Sequence, residues 1–148
     1  MSSASIEATV RELANREAIR DLARRYAHCV WQKDTRAAVD LFTEDGEMDL
    51  GDRPVIKGRD ALRAAYERML VDTLQPFVHN HVIDLHGESA TGTCYLDLRG
   101  VVDGKRMIGI GHYDDRYARV GEQWKFRSRK LTMRYFVPVG ESPAKVRE

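Results

Sequence analysis

The chain is poor in cysteine. Two thiols, Cys29 and Cys94, in 148 residues cannot form a disulfide framework, so folding must rest on burial. A chain of this length can bury roughly 70% of its unfolded surface, which is enough. Long apolar runs are also missing, and none approaches the ~20 residues of a membrane span. Met1 to Val10 has no basic segment followed by an apolar stretch, so no secretory leader is visible and a cytoplasmic chain is expected. Net charge is nearly absent. The 24 Lys plus Arg against 23 Asp plus Glu leave +1, which removes the electrostatic case for nucleic acid or an anionic membrane as partner. Repeats and internal linkers are lacking. No glycine-rich phosphate loop follows a strand, and no G-x-S-x-G elbow occurs. These absences leave one domain over 1–148, with 1–5 and 140–148 expected as flexible tails.

What is present is a change of period. Ile19, Leu22, Ala23, Tyr26 and Val30 recur at steps of three and four, one face of an α-helix. The pattern extends weakly back through Leu13, Val10 and Ile6, which predicts a helix from about Ile6 to Gln32. Asp34 is a good cap for a short second helix over Thr35 to Phe42, stopped by Thr43–Gly46. Glu47 to Leu50 and Val55 to Lys57 are short strand candidates, and Asp60 to Thr73 reads as a third helix. After Pro76 the period becomes two. His79, His81, Ile83 and Leu85 share one face, and strands at Ala90–Val102, Lys105–Ala118 and Gln123–Val137 follow. Asp103-Gly104 is a strong hairpin signal. Helices followed by a four-strand antiparallel meander predict an α+β fold with helices on one face of a curved sheet, and a small-molecule pocket between the layers.

Longer segments carry a family resemblance. "REAIRDLARRYAHCV" with "LFTEDGEMDLG" and "VIKGRDAL" resembles the opening of the SnoaL-like branch of the nuclear transport factor 2-like superfamily. "HNHVIDLHGESATGTCYL" and "GHYDDRYARVGEQWKFRSRKLTMRYFVP" resemble its sheet half, so the likeness runs from about Arg16 to Pro138. It implies a cone-shaped α+β barrel: three N-terminal helices packed on a strongly curved, mainly antiparallel sheet, enclosing a pocket. The similarity is greatest to the scytalone dehydratase, bile acid 7α-dehydratase and hexachlorocyclohexane dehydrochlorinase branches. These use an aspartate–histidine dyad, in which the histidine takes a proton from carbon and the aspartate orients it. The aspartate lies five residues after a tyrosine. Here Tyr26 fills the tyrosine position and Trp31 the aspartate position. The histidine precedes a strand asparagine by four. Here that asparagine is Asn80 and the histidine position is Pro76. An indole and a pyrrolidine cannot move protons at ordinary pH, so the dyad mechanism does not transfer.

Four other residues could do chemistry. His79, on the expected pocket face beside His81, is either a general base near pH 7 or a structural histidine bonded within the fold. Tyr26 matches a family tyrosine that contacts substrate oxygen, and equally suits an amphipathic core position. Arg129 aligns with a pocket arginine of the dehydrochlorinase. Inside the cone it would need an anionic partner; its other reading is a surface arginine on a basic strand. Tyr113 follows Gly109 and Gly111 on one face, where glycines would widen the cavity or bend the strand. Catalytic candidates are therefore His79, Tyr26 and Arg129, and candidate substrate contacts are Trp31, Met48, His81, Tyr113, Leu131 and Met133. His79 and His81 could start a metal site, but a third ligand is not apparent and no metal or cofactor is expected.

Two function classes follow. The first is a cofactor-free lyase or isomerase, dehydratase-like, acting on a small cyclic apolar or aromatic molecule. The second is a non-catalytic binder of small hydrophobic ligands, or an oligomeric scaffold of the same fold. A homodimer or homotrimer is implied by the superfamily.

Overall fold

The computed structural model describes residues 2–141. Helix α1 spans Ser3–Trp31, α2 Thr35–Asp40 and α3 Arg59–Met69; the strands are β1 Phe42–Asp49, β2 Ile56–Lys57, β3 Thr73–His86, β4 Ser89–Val102, β5 Lys105–Val120 and β6 Gln123–Pro138. All six strands form one sheet in the order β2-β1-β6-β5-β4-β3. Every pairing is antiparallel except β1 with β6. The helices cover one face of the curved sheet, as the α+β cone requires.

Ser2 caps α1 by accepting the Ser5 N–H at 3.2 Å, so residues 3–5, expected as tail, form its first turn. The expected tail beyond Glu141 lies outside the described residues. Ile19, Leu22, Ala23, Tyr26 and Val30 are buried, whereas Ile6, Val10 and Leu13 are more than half exposed. Asp34 caps α2, accepting from Ala37 N at 3.0 Å. Residues Thr43–Gly46 do not end that helix in a loop. The chain enters β1 at Phe42, with a register break between Phe42 and Glu47. Gly46 permits the break, because a Cβ there would sit 2.7 Å from the Phe42 Cβ. Helix α3 stops at Met69, and Thr73 already belongs to β3. Pro76 is tolerated in β3 because this is an edge strand, where a missing N–H costs no ladder bond.

Three register shifts in the β3–β6 meander reset the strand parity that alternation predicts; the one between Arg116 and Tyr117 puts both Phe126 and Arg129 inward. In β3 the register shifts between Val78 and His81. The buried and half-buried series becomes Pro76, Val78, His81, Ile83 and Leu85, and His79 leaves that face. In β6, Gly111 faces Met133 but Ile110 faces Tyr135. Strict alternation from Arg129 through Leu131 and Met133 would turn Tyr135 inward; Phe136 takes that position instead. Gly109 and Gly111 accommodate this bend: a Cβ on either would lie 2.3 Å from Tyr135 O or 2.4 Å from Thr132 O. They bend the sheet rather than enlarge a cavity. At the β4–β5 hairpin Asp103 and Gly104 both adopt positive φ, 51° and 75°, as a two-residue primed turn demands.

Candidate functional site

The inner face of the sheet holds a connected set of polar side chains. Asp115 on β5 and Arg129 on β6 are cross-strand partners. Both side chains are fully buried. The guanidinium donates from Nε to Asp115 Oδ1 at 2.8 Å and from Nη2 to Oδ2 at 3.0 Å. Its Cζ lies 3.6 Å from the Tyr113 ring centre, 4.2 Å from Phe126 and 4.5 Å from Tyr26. The charge is thus paired and caged by aromatic faces, the condition under which a buried arginine is tolerated. Its pKa is raised: Asp115 and the neighbouring phenols outweigh the effect of burial. Only Nη1 has no hydrogen-bond partner.

The network continues outward. Tyr117 Oη donates to Asp115 Oδ2 at 2.8 Å and lies 2.7 Å from His81 Nε2. The phenol has one proton, which goes to the carboxylate. His81 must therefore supply the second hydrogen from Nε2, leaving the Nδ1 lone pair free of that proton. Burial pushes the His81 pKa down to about 4, with Asp115 opposing and Arg129, Arg20 and Arg24 reinforcing the fall. The imidazole is neutral at pH 7.

His81 opens into a cleft of about 300 Å³ between α1 and β3, lined by Arg20, Ala23, Arg24, Val78, His79, His81 and Cys94. Ala23 makes room where a larger side chain would close the gap. The Cys94 thiol is pushed up to about 11, mainly by burial, so it is not a thiolate nucleophile at neutral pH. On the margin, His79 Nε2 lies 2.7 Å from Asp97 Oδ2. Two histidines thus share one cleft. One is oriented by a carboxylate directly, the other through a phenol.

The remaining candidates fall elsewhere. Tyr26 Oη bonds Tyr66 Oη at 2.5 Å in the core, and Tyr113 packs edge-on against Tyr26. Met48 is buried in the same core, against which half-buried Leu131 and Met133 pack. Trp31 lies at the rim, 40% exposed. Its Nε1 donates to Pro76 O at 2.7 Å, so the two vacated dyad positions touch. Asp115 and Tyr117 were missed by the sequence reading. Their signal was available, since they continue the inward series Gly111, Tyr113 along β5. A larger groove of about 560 Å³ crosses the outer sheet face among Glu47, Asp49, Asp84, Asp114, Arg116 and Lys130. Its lining is rich in charged side chains and holds no histidine, cysteine or tyrosine. Among the described residues, no group of three His, Cys, Asp or Glu side chains could hold a metal ion. No helix there is long and apolar enough to cross a membrane.

The family model of the SnoaL-like domain matches residues 11–130. The chain belongs to the SnoaL-like family. Similar solved structures agree with the fold. A protein of unknown function from Mycobacterium tuberculosis, solved with an Asp-to-Asn substitution, is 26% identical with a TM-score of 0.77, covering 84% of this chain and 75% of its own. A putative scytalone dehydratase from Novosphingobium aromaticivorans is 22% identical, TM-score 0.80, covering 90% and 99%. A hexachlorocyclohexane dehydrochlorinase from Novosphingobium barchaimii is 18% identical, TM-score 0.82, covering 90% and 96%. No curated protein matches the sequence significantly. This SnoaL-like domain therefore shares its cone with dehydratases and dehydrochlorinases, while Trp31 and Pro76 stand at the positions read as their dyad.

Proposed function

We propose that this SnoaL-like protein is a cofactor-free lyase or isomerase whose proton-moving group is His81. The observation that carries the reading is the chain Asp115–Tyr117–His81, which fixes one tautomer and presents a neutral imidazole to a half-open cleft. His81 Nδ1 would take a proton from a substrate carbon, and the C–H electron pair would become the new π bond. His79, held by Asp97, would give a proton to the departing oxygen in an elimination, or to the far carbon in an isomerisation. An imidazole titrating near 4 is available at pH 7 but weak. It suits only carbon acids activated by an adjacent carbonyl, such as a small cyclic β-hydroxy ketone. Arg129 and Asp115 act as positioning residues, since neither reaches the cleft surface.

The test is incubation of the protein in D2O with small cyclic β-hydroxy ketones, read by mass spectrometry. Loss of water, or carbon-bound deuterium, is expected with wild type and is lost in H81Q. Unchanged turnover in H81Q would remove His81 as the base.

A second reading is a small-ligand binder, favoured by the Trp31–Pro76 contact in place of a dyad. It predicts saturable quenching of Trp31 fluorescence without conversion of the ligand. Homodimers or homotrimers are proposed on the partly exposed Phe77, Tyr95 and Ile110 of the outer sheet face, and sedimentation velocity tests this. A cytoplasmic location stays a proposal, tested by fractionation.

A further inference from the structure

The α1 wall of the cleft is cationic in a way that proton transfer does not explain. Arg16, Arg20 and Arg24 recur every four residues along the helix. Arg16 is accounted for: Nη1 donates to Ile83 O at 2.7 Å and Nη2 lies 3.0 Å from Glu12. Arg20 and Arg24 share a single carboxylate. Arg24 Nη1 sits 2.7 Å from Glu17 Oε1, while Arg20 Nη1 is 3.9 Å from Oε2. Two guanidinium groups thus face one carboxylate at the mouth of a cleft whose other walls are Ala23, Val78 and Cys94. Ala23 and Cys94 are buried beneath this surface, so the site offers half-buried Val78 as its apolar wall, with two guanidinium groups beside it.

We infer that the cleft binds a small amphipathic acid, its ring against Val78 and its carboxylate on Arg20 and Arg24. This deepens the proposed lyase or isomerase reading by naming the substrate class, and it rests on that reading for the use of His81. Guanidinium and carboxylate match as planar two-point partners, and charge-assisted bonds are the strong ones. The surroundings of His81 respond to such a ligand. Arg20 and Arg24 on α1 and Arg129 on β6 depress its basicity, and Asp115 on β5 raises it. The nearby Tyr117 and Cys94 stay neutral because burial raises both of their pKa values. A bound carboxylate would offset the Arg20 and Arg24 fields and strengthen the base when substrate is present.

The probe is benzoate, with benzamide as its uncharged counterpart and inorganic phosphate as the bare anion, each titrated by NMR into protein carrying ¹⁵N-histidine. Benzoate is expected to saturate with shifts at His79 and His81 and to raise the His81 titration midpoint. R20Q/R24Q should weaken benzoate about tenfold or more, the loss of one charged hydrogen bond, and leave benzamide unchanged. Equal binding of benzoate and benzamide, benzoate affinity unaltered in R20Q/R24Q, or no benzoate binding would overturn the inference. Phosphate binding as tight as benzoate would overturn its amphipathic part. H81Q separates the two levels. If it still binds benzoate and wild type converts nothing, the acid site stands and the catalytic reading falls. If wild type converts neutral ketones without binding benzoate, the reverse holds.

Discussion

Asp115 and Arg129 meet in a two-point ion pair with no solvent exposure on either side chain, at 2.8 and 3.0 Å. Tyr113, Tyr117, Phe126 and His81 are arranged around this contact. The aromatic rings stack on its cation, and the Tyr117 phenol hangs from its anion.

Removing one partner leaves the other charged and buried, which typically costs about 3–5 kcal/mol. R129M and D115L should each lose that much stability in urea unfolding. The double variant R129M/D115L should recover more than half of it, because no unpaired charge remains. Equal additive losses would show that the aromatic cage, rather than the pairing, holds this part of the core.

The His81 titration gives a signed pH dependence. Its folded pKa, about 4, lies below the ~6.5 of an unfolded histidine. Between these values the unfolded chain binds the extra proton, so stability falls as pH falls. The slope from this one group approaches ~1.4 kcal/mol per pH unit at most. Urea midpoints measured from pH 7 to 4 should decline, and H81Q should decline less.

The glycines of β5 are placed by close backbone approach, unlike those of the turns. G109A puts a methyl group 2.3 Å from Tyr135 O, and overpacking against backbone costs about 1–3 kcal/mol or more. Gly121 has φ +63° and open space around its Cα, so G121A costs roughly 1–2 kcal/mol for the left-handed conformation alone. Thermal melts should rank G109A as the more damaging.

The two tryptophans should be separable. Trp31 is 40% exposed and Trp124 6% exposed, with the Trp124 Nε1 donating to Asn15 Oδ1 at 3.1 Å. W31F should leave blue-shifted emission that acrylamide barely quenches, and W124F the opposite. A quencher-accessible signal in W31F would mean that the α1–β6 contact opens in solution. Loss of the Trp31–Pro76 bond should cost roughly 1 kcal/mol.

Much of the fold was legible because its signals are local. The three-and-four spacing of Ile19 to Val30, the Asp34 cap and the Asp103-Gly104 turn each depend on neighbours in sequence. The boundaries that moved were those where tertiary pairing overrode local cues. Phe42 joined β1 because it lies opposite Phe126, and Thr73 joined β3 because Val101 lies opposite it. Parity failed at His79 and Tyr135, since a bulge inserts a residue without leaving a mark in the hydrophobic pattern.

By itself, the sequence determined a helix-then-meander chain, nearly neutral overall, with its SnoaL-like resemblance and with Trp31 and Pro76 at the dyad positions. Those are properties of composition, period and residue identity. Only the tertiary structure decided which polar groups meet. Asp115, Tyr117 and Arg129 are brought to His81 by pairings between β3, β4, β5 and β6, and three register shifts choose which side chains face inward. Buried polar contacts of this kind depend on register across strands, and register is set by the packed sheet as a whole.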